Sequence, residues 1–188
     1  MSDYMFMLES HLGSDQSRVV AEVQAAATNA NLNVFLTGGA MRDMLGGFPI
    51  MEIDFTVEGN ATKLAQTIAK KIGAKILWED ENRKVAQMLF PGGVRATIGM
   101  ARQEKFPKPG AKPVVRPATI HEDLRGRDFT INSIALSLNP ASRGLLLDPN
   151  NGVGDLERKE LRAVSNYTLY DDPVRLLRLL RFKVRLGF

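Results

Sequence analysis

Residues 36–57 read LTGGAMRDMLGGFPIMEIDFTV, a pattern that predicts a strand, a Gly-Gly turn, a helix and a second strand. Gly38 and Gly39 carry no side chains where the chain leaves the first strand, so backbone N–H groups at the start of the helix can approach an anion. Arg42 lies about one turn into the helix and can reach the same anion. A Gly-Gly pair alone more often marks a tight connection, but together the three residues predict a site for phosphate groups.

Two carboxylates follow on the second predicted strand. Glu52 and Asp54 are two residues apart, and the two-residue period of a strand places both side chains on one face. Adjacent carboxylates repel each other unless a cation lies between them, and Mg²⁺ is commonly held by one or two carboxylates together with substrate phosphates. An E-x-D pattern also occurs on solvated strand faces. Glu52 and Asp54 are nevertheless the candidate metal ligands and catalytic residues.

The composition narrows the class of protein. The 188 residues suffice for one core, or for one domain and the start of another. Because the chain has no cysteine and only His11 and His121, disulfides and thiolate metal sites are excluded and a His-rich zinc site is disfavoured. No apolar run is long enough for a membrane span and the first residues do not resemble a signal peptide, so we expect a soluble, cytoplasmic protein. The net charge of +4 favours a polyanionic partner.

The hydrophobic pattern predicts a small mixed sheet with helices on one side, an α+β fold. Helices are expected over residues 15–30, with Ser14 or Asp15 as the N-cap, and over residues 61–72, ended by Gly73. Strands are expected at residues 33–37, 74–78, 84–90 and 94–100. Residues 102–117 hold four prolines and five basic side chains and predict a loop. Helical structure is expected again from Thr119 onward and at the end of the chain.

The order and spacing of the Gly-Gly turn, the Arg-Asp pair and the carboxylates resemble the signature of the nucleotidyltransferase superfamily. Specifically, they resemble the bacterial-type (class II) tRNA CCA-adding enzymes and poly(A) polymerases, which show GG-x-V-RD-x-LLG followed by D-x-D-F. Residues 121–139, HEDLRGRDFTINSIALSLN, are similar to the D-L-x-R-R-D-F-T-I-N-A motif of that family. This resemblance implies that Arg127, Asp128 and Asn132 bind the triphosphate and the ribose. Alternatively, Asp128 only caps a helix that begins at FTINS.

Two later segments extend the resemblance. Residues 145–164 are similar to the D-P-x-x-G-x-x-D-L motif, which is expected to shape the connection after the first domain. Residues 171–175, DDPVR, resemble the E-D-x-x-R motif, which implies that Asp172 and Arg175 recognise the base of the incoming nucleotide without a nucleic-acid template. A carboxylate can accept from the amino group of cytosine or adenine, and Arg can donate to ring acceptors. The alternative is an amphipathic helix with a solvated basic face.

The resemblance implies a nucleotidyltransferase (polymerase beta-like) fold, with residues 1–139 as the head and residues 140–188 as a connection and the start of a helical neck. It implies a Mg²⁺-dependent enzyme that transfers CMP or AMP from CTP or ATP to an RNA 3′ end and releases pyrophosphate, with tRNA CCA addition as the first choice. Members of this family continue into body and tail domains that hold the RNA. The chain therefore resembles a truncated member.

Three alternatives remain open at this point. The motifs do not separate tRNA CCA addition from poly(A) addition to other RNA. Glu52 replaces the first Asp of D-x-D, Thr97 stands where many nucleotidyltransferases carry a further carboxylate, and Gly126 replaces an Arg, so a degenerate head that binds nucleotide or RNA without catalysis is also possible. A dinucleotide-binding domain is disfavoured because no G-x-G-x-x-G pattern follows the first strand.

Overall fold

A computed structural model describes residues 3–188, which contain nine strands. They are β1 (Asn33–Thr37), β2 (Ile53–Glu58), β3 (Lys75–Asp80), β4 (Val85–Leu89), β5 (Arg95–Met100), β6 (Arg102–Lys105), β7 (Val114–Pro117), β8 (Ala135–Ser137) and β9 (Leu146–Leu147). Seven of them form one sheet in the order β3-β4-β5-β2-β1-β8-β9, while β6 and β7 pair with each other. Strand β2 pairs with β5 in parallel and with β1 antiparallel, so the sheet is mixed.

Eight α-helices surround the strands within the described residues. They are α1 (Asp3–His11), α2 (Ser14–Asn29), α3 (Gly38–Leu45), α4 (Ala61–Ile72), α5 (Ile120–Arg125), α6 (Gly152–Glu157), α7 (Thr168–Asp171) and α8 (Val174–Leu186). Two short 3₁₀ turns lie at Thr130–Asn132 and Pro140–Ser142. The mixed sheet flanked by helices confirms the predicted α+β class. None of the helices described here has the length and apolar character needed to cross a membrane.

The two faces of the sheet differ in polarity because side chains alternate along each strand. On β2, Ile53, Phe55 and Val57 are buried in the main core, which α2, α3 and α4 cover on that side. Asp54 and Thr56 therefore point to the opposite face. The sheet consequently offers a polar surface on its central strand, directly opposite the main core.

The expectation of helices on one side only is wrong. Phe35 of β1 faces away from the main core and packs with Ile120 and Leu124 of α5, and this second cluster covers part of the other face. The hydrophobic pattern of the sequence identified α5 as helical but could not say on which side of the sheet it packs. Part of the polar face is thus enclosed between the sheet and α5.

The segment 102–117, expected to be a loop, is partly a two-stranded ribbon. Strands β6 and β7 pair antiparallel from Arg102 opposite Pro117 to Lys105 opposite Val114. The three prolines before β7 lie in or beside the connecting loop, and Pro117 ends its strand, so none of them interrupts the ladder. Counting prolines over the whole segment concealed the alternation of exposed and half-buried side chains in β6.

Other local expectations need smaller corrections. Helix α2 begins after Gly13 rather than after Ser14 or Asp15, and the Gln16 side chain accepts from the Gly13 N–H at 3.0 Å. Glu52 immediately precedes β2 instead of lying within it. After Thr119, the helix extends only over α5 and is followed by the Thr130–Asn132 turn and then β8. The αL conformation of Gly73, with φ of 70°, confirms the predicted end of α4.

Candidate active site

The turn from β1 into α3 places the start of a helix against the carboxylate of Asp54. Gly38 has φ of 62°, a left-handed conformation that favours glycine. Gly39 N–H donates to Asp54 Oδ2 at 2.9 Å, and Ala40 N–H lies 3.4 Å from the same oxygen. A Cβ atom on Gly39 would lie 3.0 Å from that oxygen. The Gly-Gly pair therefore permits close contact between the helix start and the carboxylate. The N–H groups that were expected to bind phosphate instead donate to Asp54.

Asp54 lies beside Glu52 in a partly buried position. Burial and the repulsion from Glu52 raise the pKa of Asp54 to about 6, while Arg127 and the N–H groups of Ala40 and Gly39 oppose the rise. A carboxyl group whose charge is disfavoured in this way is one that a cation would stabilise. The two carboxylates therefore suit a divalent cation with a preference for oxygen ligands.

Two neighbouring side chains hold Glu52. Gln87 Nε2 and Thr97 Oγ1 each donate to Glu52 Oε1 at 2.9 Å. Thr97 lies opposite Asp54 in the β2–β5 register, so it occupies the neighbouring strand as expected from the sequence. No group of three His, Cys, Asp or Glu side chains suited to a metal lies within residues 3–188. Water or phosphate oxygens would complete the coordination of a metal held by Glu52 and Asp54.

Arg127 lies on the same face of the sheet and is held in a fixed orientation. Its Nη2 donates to Thr56 Oγ1 at 2.9 Å, its Nε donates to Asp123 Oδ2 at 2.9 Å, and its Nη1 donates to the Asn132 carbonyl at 3.2 Å. The guanidinium also lies close to the turn, since a Cβ atom on Gly38 would lie 3.2 Å from Nη1. Arg127 is thus placed between the Gly-Gly turn and the 3₁₀ turn.

Arg42, Asn132 and Asp128 form a connected buried chain. Arg42 Nη1 donates to Asn132 Oδ1 at 2.9 Å, and Asn132 Nδ2 donates to Asp128 Oδ1 at 3.0 Å. Asp128 Oδ1 also accepts from the Phe129 N–H, and Asp128 Oδ2 accepts from Nε and Nη2 of Arg178. These four contacts use the acceptor positions of the carboxylate. A ribose hydroxyl at Asp128 would therefore have to share an oxygen with one of these donors.

Asp172 and Arg175 lie together at the start of α8. Arg175 Nε is 3.7 Å from Asp172 Oδ2, and Arg175 Nη1 is 3.5 Å from the Thr168 carbonyl. The Arg175 guanidinium also lies 6.0 Å from the centre of the Phe106 ring, which follows β6. The Arg175 side chain is only 13% exposed, so it does not lie on a solvated helix face.

One cavity of about 850 Å³ brings the predicted residues together. Its lining includes all ten of them: Gly38, Gly39, Arg42, Glu52, Asp54, Arg127, Asp128, Asn132, Asp172 and Arg175. Five further arginines that were not predicted also line it: Arg83, Arg102, Arg178, Arg181 and Arg185. The last three are spaced three and four residues apart, which places them on one side of a helix, and this spacing was the available sequence signal.

We expect Mg²⁺ to raise the melting temperature of the chain more at about pH 7.5 than at about pH 5. The pKa of Asp54 is raised from 3.8 to about 6, so protonation of Asp54 favours the folded state below that pH, and this contribution is lost as the pH rises through about 6. Mg²⁺ needs the ionised carboxylate. Thermal unfolding with and without Mg²⁺ at both pH values measures the difference, and an equal shift in the wild type and in Asp54→Asn would contradict the metal assignment.

Comparison with known proteins gives the family. The poly A polymerase head domain matches residues 34–162. The A-adding tRNA nucleotidyltransferase of Halalkalibacterium halodurans is 37% identical over 188 residues, which is 100% of this chain and 44% of the relative. The CC-adding tRNA nucleotidyltransferase of Deinococcus radiodurans is 37% identical over 151 residues, which is 80% of this chain and 40% of the relative. The chain thus spans less than half of the length of either relative.

Solved structures agree with the sequence relatives. A CCA-adding enzyme in an apo form matches with a TM-score of 0.86 and 32% identity, over 98% of this chain and 43% of that one. A CCA-adding enzyme in complex with CTP matches with a TM-score of 0.82 and 30% identity, over 98% of this chain and 42% of that one. The mixed sheet is therefore a nucleotidyltransferase fold. Since the family match covers more than half of its residues, the chain belongs to the poly A polymerase head domain family.

Proposed function

We propose that the protein is a Mg²⁺-dependent RNA nucleotidyltransferase that adds CMP or AMP, from CTP or ATP, to the 3′ end of tRNA during CCA addition and releases pyrophosphate. The observation that carries the proposal is that the predicted metal, triphosphate, ribose and base residues line one cavity. The tRNA nucleotidyltransferase relatives support it. We further propose that residues 1–139 are the head and residues 140–188 the connection and the start of the neck, with β9 of the connection extending the head sheet.

Each group of residues has a separate task in the proposed reaction. Glu52 and Asp54 would hold the metal, which when bound lowers the pKa of the attacking RNA hydroxyl and neutralises phosphate charge. Arg42 and Arg127, which lie beside the Gly38–Gly39 turn, orient the triphosphate so that the pyrophosphate leaves in line with the attack. Asn132 and Asp128 orient the ribose.

Asp172 and Arg175 select the base. Together they offer an acceptor and donors, which suit cytosine and adenine, whereas uracil and guanine turn a carbonyl towards the carboxylate. Rejection of a wrong base follows when the polar groups of the site are left unpaired. Because the pair contacts the base directly, selection requires no nucleic-acid template.

Incorporation assays on three RNA substrates test the function. Labelled CTP and ATP are supplied with tRNA lacking CCA, with tRNA ending in CC, and with an unstructured oligoadenylate. CCA addition predicts CMP incorporation on the first substrate and a single AMP on the second. One relative that aligns over the whole chain is named as A-adding. Incorporation of AMP only, and only on the tRNA that ends in CC, would indicate that narrower activity. Repeated AMP addition to oligoadenylate would instead indicate a poly(A) polymerase, and nucleotide binding without incorporation a degenerate head.

We expect Glu52→Asp to lower the rate of transfer by about a hundredfold, the loss typical of a misplacement of about 1 Å in an active site. Glu52 Oε1 is held by Gln87 and Thr97, and a side chain shorter by one methylene would lose at least one of these contacts if it also held the metal. Single-turnover rates on the preferred tRNA substrate measure the loss. A rate at or above that of the wild type would show that the site does not depend on the length of glutamate.

A further inference from the structure

Arg42 is held as a preformed donor pair at the turn between β1 and α3. Its Nε and Nη2 donate to Asp43 Oδ1 at 2.9 and 2.7 Å, and its Nη1 donates to Asn132 Oδ1 at 2.9 Å. A guanidinium has five N–H groups, so two of them, on Nη1 and Nη2, have no protein acceptor within the described part of the chain. Both nitrogens lie beside Gly39, since a Cβ atom there would lie 3.5 Å from Nη2 and 3.9 Å from Nη1. The free donors thus lie at the predicted triphosphate site.

The neighbouring Asp43 fixes this geometry from the protein interior. Both members of the Arg42–Asp43 ion pair are almost completely buried, with side chains 4% and 5% exposed. The ring of Phe182 covers one side of the Arg42 guanidinium, with 5.0 Å between Cζ and the ring centre. Loss of the Asp43 charge would leave a buried guanidinium with fewer partners and more freedom to rotate.

A second cation ties Asp43 to the last turn of α8. Arg185 Nη2 donates to Asp43 Oδ2 at 2.8 Å, while Arg42 uses the other oxygen of the same carboxylate. Arg185 lies ten residues beyond Arg175 on α8, which is about 15 Å along the helix. Helix α8 therefore contacts the proposed nucleotide site at two separate places. Arg175 lies near the proposed base position, and Arg185 contacts Asp43 near the proposed triphosphate position.

We propose that Asp43 and Arg185 are positioning residues for the triphosphate: Asp43 orients the two free donors of Arg42, and Arg185 fixes Asp43. The inference rests on the proposed function and extends it, because it makes α8 a determinant of triphosphate affinity as well as of base selection. If this is correct, loss of Asp43 or Arg185 should lower the affinity for all four nucleoside triphosphates equally. Ligands without the triphosphate chain should be affected much less. A residue that only stabilises the fold would not produce this dependence on the ligand.

Binding titrations separate positioning from general charge. The 188-residue chain is titrated with inorganic tripolyphosphate, with the four nucleoside triphosphates, and with CMP and AMP. We expect Asp43→Asn to lower the affinity for tripolyphosphate and for all four triphosphates by about tenfold. Arg185→Gln should lower the same affinities by about threefold, because the Arg185–Asp43 ion pair is partly exposed. The monophosphates should change much less. Lys183→Gln is the matched control, since it removes one exposed positive charge from the same helix outside the cavity.

A second measurement reports the orientation of Arg42 without any ligand. The Nε–H signal of Arg42 in ¹H–¹⁵N spectra should exchange slowly with water in the wild type and in Lys183→Gln, and faster in Arg185→Gln and Asp43→Asn. The Arg185→Gln variant keeps the test decisive if Asp43→Asn unfolds. Equal affinities for Arg185→Gln and Lys183→Gln, or failure of the wild type to bind tripolyphosphate, would overturn the inference. If the two variants bind tripolyphosphate more weakly than the wild type, but the wild type transfers no nucleotide, the positioning inference is retained and the proposed function is overturned.

Discussion

Replacing Asp54 by alanine should abolish nucleotide transfer, with a fall in rate of about a thousandfold or more, because a metal ligand contributes several kcal/mol to the stabilisation of charge in phosphoryl transfer. Asp54 is the one proposed ligand that also contacts the helix start at Gly39, so its loss would both weaken binding of the proposed metal and disturb the turn at the proposed triphosphate site. Single-turnover incorporation of labelled CMP or AMP into tRNA measures the rate.

The fold should survive this change. Asp54→Ala removes the acceptor for two backbone N–H groups, but it also removes a carboxylate whose pKa is raised to about 6 by burial and by the repulsion from Glu52. These effects oppose each other, so we expect a melting temperature close to that of the wild type when Mg²⁺ is absent.

The isosteric Asp54→Asn variant controls for shape. Its side-chain oxygen can still accept from Gly39 while the charge is gone, so a loss of transfer shared by both variants would be assigned to the metal site. Unchanged transfer by either purified variant would contradict the assignment of Asp54 as a ligand.

Local sequence patterns were sufficient to predict the elements around the carboxylates. The two-residue period of β2 correctly separates Asp54 from the buried Ile53 and Phe55, because alternation is a property of the strand itself. The Gly-Gly pair likewise predicts the turn between β1 and α3, at which Gly38 has a positive φ. For these features the physical cause lies within a few residues of the effect, which is why the sequence alone was informative.

Contacts between distant segments could not be predicted in the same way. Arg42 was expected to reach phosphate directly, but its position also depends on Asn132, which lies 90 residues further along the chain. Arg178 and Arg185 of α8 pair with Asp128 and Asp43, and a helical spacing of arginines does not identify their partners. The family resemblance predicted that Asp128 binds the nucleotide, but it did not indicate that protein donors already surround the Asp128 carboxylate.

The largest effect on specificity is expected from Arg175→Ala. The Arg175 side chain is mostly buried, lies beside Asp172 and packs over Phe106, whereas the alternative interpretation required it to be solvated. If Arg175 donates to the base, its loss should weaken the binding of CTP and ATP by about 1–3 kcal/mol, the value of a good two-point base contact. UTP and GTP, which the proposed base contact disfavours, should lose much less, so the discrimination among the four bases should decrease.

Titration of all four triphosphates against the wild type, Arg175→Ala and Lys183→Ala tests this expectation. Lys183→Ala removes a positive charge from the exposed side of the same helix, so it measures the general electrostatic contribution to triphosphate binding, which does not depend on the base. Base reading predicts a selective loss for Arg175→Ala beyond that baseline. If Arg175→Ala instead weakened all four nucleotides by the same factor as Lys183→Ala, Arg175 would act only as a positive charge, and base selection would have to reside elsewhere in the cavity.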